Sequence, residues 1–468
     1  DLKTIAEWSG GRIITGDPEI GISGVSIDSR TLKPGELFVA LRGERFDGHA
    51  FAGAAAGKGA GALLVAGEIG SRNAAEHSPP IIRVNDSRKA LSDLAREYFQ
   101  RLNSGSVAIT GSNGKTTVKH LTGQLLGRAM KTTVAPASYN NLVGVSLTAL
   151  AAGADDRMTV FELGMNRAGE IRELGRICRP GIGVILNIGP AHIGYLGSLD
   201  GVARAKAELL ETLAEDKISI LNFDDPRVKE MALSAPGRVI GFGRSPAAAV
   251  RLTRLRLNGA VFEGRIEAEA GAFSFRTPLP GAHNIFNLLA AVAVALTVGI
   301  DRDEIPEAIV SLTLPPGRWE VLEAGGVELI NDAYNANPAS MRAALAAWRD
   351  REVSGRRILV GGDMRELGEF SEGEHRRWGE DAAGAGLDYL VFVGEFSDLT
   401  ASAAAESGFP GDRIFAVPDH RTAARILIGI MKGGDSILFK ASRALALEKI
   451  IELLIPEKVV SWERVGTP

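Results

Sequence analysis

One cysteine, Cys178, is all the thiol this 468-residue chain carries, so an intramolecular disulfide and a cysteine-built zinc or iron–sulfur site are excluded. Net charge is equally scarce. The 53 Lys and Arg against 57 Asp and Glu leave −4, too little for an electrostatic hold on nucleic acid or an anionic membrane surface. Any anionic ligand must be held locally. Long hydrophobic runs are missing as well: residues 288–300 form the longest, broken by Thr297 and Gly299 and short of the roughly 18 residues a membrane span needs. That run reads as a buried helix. The opening DLKTIAEWSGG has neither the basic nor the apolar region of a secretory signal, so a cytoplasmic protein without membrane insertion is expected.

What the chain has in excess is glycine, 56 of 468 residues, repeatedly placed after apolar, strand-like runs. At about 150 residues per domain the length favours three domains over two or four. Residues 1–100 carry short strand-like pieces (25–27, 37–40, 62–65) and an Ala/Gly-rich helical stretch (50–61), a small α/β domain. From Ser106 apolar strands alternate with helices (SVAIT, MTVFEL, GVILNI, ISILNF), which predicts a mostly parallel central sheet over 101–315. Residues 249–277 alternate without helix signals, an antiparallel appendage, and a helix over 284–298 closes this domain. LPPGR (314–318) is a Pro/Gly break. Beyond it VELIND, RRILVGGD, YLVFVGE, RIFAV and SILFKAS read as strands of a Rossmann-like, doubly wound domain over 316–468, ending in a helix over 444–454.

SVAITGSNGKTT (106–117) is a strand, a glycine turn and a helix start. Gly111 and Gly114 let successive amide hydrogens point at one anion, to which the helix N-terminus adds its dipole. Lys115 supplies a charge for terminal phosphates and Thr116 a hydroxyl for Mg²⁺. Ile109 stands where the generic phosphate loop has its first glycine, so only the second half of that motif fits. Glu162 ends MTVFEL and His192 follows GVILNIGP, both at carboxyl ends of parallel strands, the edge where such sheets bind ligands. Glu162 suits a hard cation, and His192 is a less usual ligand for one; alone, they read as readily as a salt-bridged rim residue and a capping histidine. Lys206, in ARAKAELLETL, reads either as a snorkelling surface lysine or as a group near the metal. A charged ammonium about 4 Å from a divalent cation costs roughly 8 kcal/mol at an effective dielectric of 20, so there it must be neutral or modified.

The stretch Thr110, Gly111, Ser112, Asn113, Gly114, Lys115, Thr116, Thr117 resembles the T-G-x-x-G-K-T-T phosphate loop of the Mur ligase family, the ATP-dependent amide ligases of peptidoglycan synthesis. SYNNLVGVSLTAL (138–150), ELGMNRAGEI (162–171), NIGPAHIGYLGS (187–198), AHNIFNLLAA (282–291), NDAYNANPASM (331–341) and GGDMRELGEFS (361–371) are similar to the member that joins D-alanyl-D-alanine to UDP-N-acetylmuramoyl-tripeptide. The Asp-Asn-Pro-Arg of the sister that adds the third residue is absent.

The resemblance implies two substrates, that UDP-tripeptide and D-alanyl-D-alanine, with ATP and Mg²⁺, two ions expected, and a monomer. It gives Lys115 and Thr116 to phosphate and metal, Glu162 and His192 to metal, and Lys206 to the position the family carbamylates with CO₂. Asn284 and Asn287 match residues near adenine, and Arg318 one that reaches the γ-phosphate. Asp332, Tyr334, Asn335 and Asn337 line the nucleotide's other side. Asp28, Ser29 and Arg30, with 37–51, are similar to the uridine pocket, while Asn140, Asn141, Asp363, Ser442 and Arg443 fall to the other substrate contacts. Lys115, Lys206, His192 and Arg318 are the expected catalytic set, and His375 is a candidate base. Two departures stand out: Ala441 where the family has Gly within Lys-Gly-Ser-Arg, and Ser146 where it has Pro. The competing readings are a sister ligase, folylpolyglutamate synthetase, a small-molecule kinase and a non-catalytic ATP switch.

Overall fold

The computed structural model describes residues 1–43, 46–67, 79–191 and 193–455. Three α/β sheets follow one another along the chain. The first contains β1 (Arg12–Thr15), β2 (Val25–Ser26), β3 (Leu37–Val39), β4 (Ala62–Ala66) and β5 (Ile81–Val84), in the order β1-β5-β4-β3-β2. Only the β1–β5 pair is antiparallel. The Ala/Gly-rich helix is shorter than the sequence suggests, Ala52–Gly57, because Gly59 takes a left-handed turn at φ 84 just beyond it.

The second sheet comprises β6 (Gly105–Thr110), β7 (Thr132–Val134), β8 (Met158–Glu162), β9 (Ile182–Ile185), β10 (Ile218–Asn222), β11 (Arg238–Gly243), β12 (Val250–Asn258), β13 (Val261–Ala268) and β14 (Gly271–Thr277). Its order is β14-β13-β12-β11-β10-β9-β6-β8-β7. Pairing is parallel from β7 through β12 and antiparallel only across β12, β13 and β14, as the loss of helix signals after residue 249 implies. β6, β8 and β9 are buried through most of their length, as expected of parallel strands covered on both faces, whose sequences run continuously apolar. The helix Ala282–Thr297 is apolar on nearly all sides and joins the core that also holds Val107, Ile109 and Val184.

The third sheet carries β15 (Glu320–Ala324), β16 (Val327–Asn331), β17 (Arg357–Gly362), β18 (Tyr389–Val393), β19 (Ile414–Val417) and β20 (Ser436–Lys440), ordered β15-β16-β20-β17-β18-β19. All pairs except β15–β16 are parallel. Residues 314–318 lie between helix Ile305–Val310 and β15. The last helix is Glu448–Leu454 rather than 444–454; a short 3-10 turn, Arg443–Leu445, and left-handed Ala446 (φ 48) precede it.

Candidate functional site

The carboxyl ends of β6, β8 and β9 converge on the glycine turn. Gly114 sits at φ 85, natural only for glycine, and a Cβ there would collide with Asn287 Oδ1. Asn187, after β9, clamps the turn from the side: its Oδ1 accepts from Asn113 N (2.8 Å) and its Nδ2 donates to Asn113 O (3.2 Å). Ser112 Oγ donates to Gly189 O (3.1 Å) and accepts from Gly189 N (2.8 Å). Thr110 is fully buried and donates to Leu163 O (2.9 Å), tying β6 to the end of β8. Thr117 is buried in the first turn of the helix Lys115–Gly127. Lys115 Nζ folds back onto Gly111 O (2.7 Å) and Ser112 O (3.3 Å), and burial pushes its pKa down.

Glu162 is 1% exposed. Asn140 Nδ2 donates to its Oε1 (2.9 Å), and Lys119 Nζ lies 3.2 Å from Oε2. That Oε2 has an ion-pair distance but no aligned hydrogen-bond donor. A buried anionic oxygen left so fits a divalent cation, which beside phosphate takes one or two protein oxygens and completes its shell with water. Among the described residues no three His, Cys, Asp or Glu form a metal cluster. Lys206 is also 1% exposed; burial first, and the charge of Lys115 second, push its pKa well below the ordinary lysine value. So deep a burial excludes the snorkelling surface lysine. His192 lies outside the described residues.

The third sheet closes over this turn. Arg318 Nη2 donates to Thr116 Oγ1 (3.1 Å), and its guanidinium carbon stands 4.8 Å from the Tyr334 ring centre. The Tyr334 hydroxyl donates to Ser138 Oγ, and Asn337 Nδ2 to Asn113 Oδ1. Asp332 pairs with buried Lys440 (2.8 Å), whose ammonium also donates to the backbone oxygens of Asp332 and Asn335 (both 3.2 Å). The Asn335 side chain accepts from Ala336 N (2.9 Å). On the facing side Asn287 Nδ2 donates to Asn284 Oδ1 (3.0 Å), and Asn284 Nδ2 donates to Pro280 O (2.8 Å).

Other expected contact residues are engaged in local structure. Asn141 caps helix Leu142–Ala151 by accepting from Gly144 N (2.9 Å). Asp363, 2% exposed, accepts from Glu395 N (2.9 Å) and Phe396 N (3.1 Å). Ser442 Oγ accepts from Arg365 N (2.9 Å), and Arg443 pairs with Glu448. His375 uses both ring nitrogens, Nε2 accepting from Met364 N (2.9 Å) and Nδ1 on Ser371 O (2.7 Å), and stacks on Phe396. It is a structural histidine, not a base open to the site. Asp28 and Arg30 form a bidentate pair on the first sheet's β2 loop with Ser29 between them, apart from the phosphate loop; Arg30 holds the Asp28 carboxyl below its ordinary range.

Sequence reading missed Lys119 and Asn187. Lys119 was findable: it lies one helical turn after Lys115 and shares its face.

Three family models match the chain in the same order as its sheets. Residues 21–99 match the Mur ligase family catalytic domain, 109–295 the Mur ligase middle domain, and 317–443 the Mur ligase glutamate ligase domain. The chain belongs to the Mur ligase family. This Mur ligase is 35% identical over 465 residues, 97% of its own length and 98% of the other's, to the UDP-N-acetylmuramoyl-tripeptide--D-alanyl-D-alanine ligase of Bacillus subtilis. Its fold superposes on a crystal structure of MurF from Acinetobacter baumannii with TM-score 0.86 at 30% identity, covering 97% and 98% of the two chains. MurF of Thermotoga maritima in complex with ADP aligns at TM-score 0.79 and 28% identity, over 94% and 98%. Among the described residues no helix of this Mur ligase is long and apolar enough to cross a membrane.

Proposed function

We propose that this Mur ligase joins D-alanyl-D-alanine to UDP-N-acetylmuramoyl-tripeptide, with ATP as the energy source and ADP and phosphate as products, in the cytoplasmic supply of peptidoglycan precursor. The first domain (1–100) would hold the uridine nucleotide, the second (101–315) ATP, and the third (316–468) would complete the site. The observation that carries the reading is the Arg318–Thr116 bond, which brings a cation from beyond the linker onto the phosphate loop.

A carboxylate is a poor acyl donor at neutral pH because its leaving group is poor, so the tripeptide carboxylate first takes the γ-phosphoryl group and becomes an acyl phosphate. Lys115 and Arg318 offset the charge on the group in flight, the dominant contribution to such catalysis. Thr116 and Glu162 would hold Mg²⁺, with His192 and a carbamylated Lys206 as further ligands; the metal supplies charge neutralisation at the phosphates. Lys206 suits carbamylation because burial favours the uncharged amine, the nucleophilic form that adds to CO₂. The dipeptide amine then attacks the acyl carbon and phosphate leaves. Asn284, Asn287, Tyr334 and Asn337 would enclose the nucleotide, and contact between the second and third domains excludes the water that would hydrolyse the intermediate.

The deciding experiment is phosphate release with ATP, Mg²⁺ and UDP-N-acetylmuramoyl-tripeptide, with and without D-alanyl-D-alanine, with product mass read alongside. Dipeptide-dependent release and a product heavier by one dipeptide unit establish the reading. Turnover only with a free amino acid moves it to a sister ligase, and ADP without free phosphate to a kinase.

A further inference from the structure

We propose that Trp319 aims Arg318 at the terminal phosphate of the nucleotide; the inference rests on the ligase reading above, which gives Arg318 that phosphate. Trp319 is 5% exposed and its backbone is left-handed at φ 55. Glycine takes that backbone freely, whereas a bulky side chain there is an outlier. The indole carries a second penalty: among the described residues its Nε1 is buried with no hydrogen-bond partner. A residue unfavourable on both counts persists where its surroundings fix it, characteristically at functional sites.

The surroundings here are the third domain's core. Trp319 shares a buried cluster with Ile330, Met341, Leu345 and Trp348, while Arg318, its neighbour in sequence, leaves that core and crosses to Thr116. Adjacent side chains thus go to different domains. Left-handed residues on both sides of Arg318, Gly317 (φ 69) and Trp319, make the turn that separates them. The Gly317 flank is held through its backbone: its N–H donates to Glu320 Oε2 (3.3 Å), which also accepts from Asn331 Nδ2 (3.1 Å), and its carbonyl accepts from Tyr334 N (3.1 Å). The other flank is held by the indole.

The linker does not supply this hold. Leu314, Pro315 and Pro316 line, with Pro280, Arg318 and Trp319, a cleft of about 310 Å³, which leaves the chain before Arg318 room to shift. Leu314 packs against the cores of the second and third domains alike, so the linker is tied to both. Trp319 belongs to the core of the third alone. The indole therefore passes the position of the third domain on to the guanidinium beside it.

The test reads the terminal phosphate by itself. Calorimetric titrations with Mg²⁺ and either ADP or β,γ-methylene-ATP give two dissociation constants, whose ratio isolates what the third phosphate contributes. Trp319→Gly keeps the left-handed backbone and removes the indole. Its ADP affinity should stay near wild type while its relative affinity for the ATP analogue falls about tenfold or more, as in Arg318→Ala, the worth of a hydrogen bond to a charged group. The two changes combined should cost no more than Arg318→Ala alone, because residues acting through one contact are not additive. Trp319→Phe, which refills the core and gives up only an unpartnered N–H, should keep the wild-type ratio. If circular dichroism shows that Trp319→Gly does not fold, Trp319→Leu, with apolar bulk but no flat ring, is held to the same prediction. An unchanged ratio in the folded variant overturns the assignment, and so does a further fall in the combined variant, the mark of general structural damage. If Arg318→Ala itself leaves the ratio unchanged, the phosphate contact of the ligase reading fails and takes the inference with it, an outcome distinct from a failure of Trp319 alone.

Discussion

Arg318 and Thr116 are joined by a 3.1 Å hydrogen bond across 202 positions of sequence. Thr116 opens the helix behind the phosphate loop and Arg318 opens the third domain, so one bond reports whether the two domains are together. Arg318 has a second anchor in the Tyr334 ring, 4.8 Å away, and a planar guanidinium is needed for both contacts. Arg318→Lys is therefore expected to lose turnover as Arg318→Ala does, by about 10³-fold or more, in dipeptide-dependent phosphate release. A lysine that preserves the rate would show that only the charge matters.

Gly114→Ala is expected to weaken nucleotide binding by about tenfold or more. The left-handed backbone costs roughly 1–2 kcal/mol for alanine, and the added methyl displaces Asn287. Calorimetric titration with ADP measures it, with circular dichroism confirming an unchanged fold.

Lys206 gives a spectroscopic prediction. Protein equilibrated with ¹³C-bicarbonate should show a carbamate carbon resonance that Lys206→Ala lacks, and that variant should lose about 10–100-fold in activity. The absence of a resonance in active enzyme would leave Lys206 unmodified.

Asp435 predicts a pH dependence. Its burial raises the carboxyl pKa, but hydrogen bonds from Arg356 (2.6 Å to Oδ2) outweigh that and leave it below the ordinary 3.8. A folded-state pKa below the unfolded one stabilises the fold above the ordinary value and is lost as pH falls through the folded value. Asp435→Asn should cost about 2 kcal/mol near neutral pH, and the gap to wild type in denaturant titrations should close as the pH falls below about 4.

Cys178 is fully buried and burial pushes its thiol up to about 12, so it is neither accessible nor ionised at neutral pH. Ellman's reagent should find no thiol in the native chain and one per chain in guanidinium. Rapid native labelling would mean that helix Glu170–Cys178 opens readily.

Much of the fold was legible because parallel strands buried on both faces spell themselves out: SVAIT, MTVFE and SILFK are mostly apolar runs that lead into glycine or polar turns. The phosphate loop was legible because backbone geometry demands glycine at position 114. Helix ends were less so, since alanine continues as helix or turn with equal ease; Gly59 and Ala446 decide those boundaries through left-handed backbone that composition does not announce. Side-chain commitments were the least legible. Nothing in Asn141 or Asp363 says that they will be spent on a helix cap and a loop. Those follow from what folds against them, which local sequence does not contain.

The helix Ala282–Thr297 places its first turn beside the nucleotide loop and buries residues 288–295 almost entirely. Because it is apolar on nearly every side, a partly opened chain would expose a sticky cylinder with no polar face to keep it dissolved. Heating should therefore end in precipitation instead of a reversible transition, and resistance to heat becomes a matter of how fast this helix is uncovered. A nucleotide that binds at its first turn would slow that uncovering, and the enzyme should survive longest when it is working.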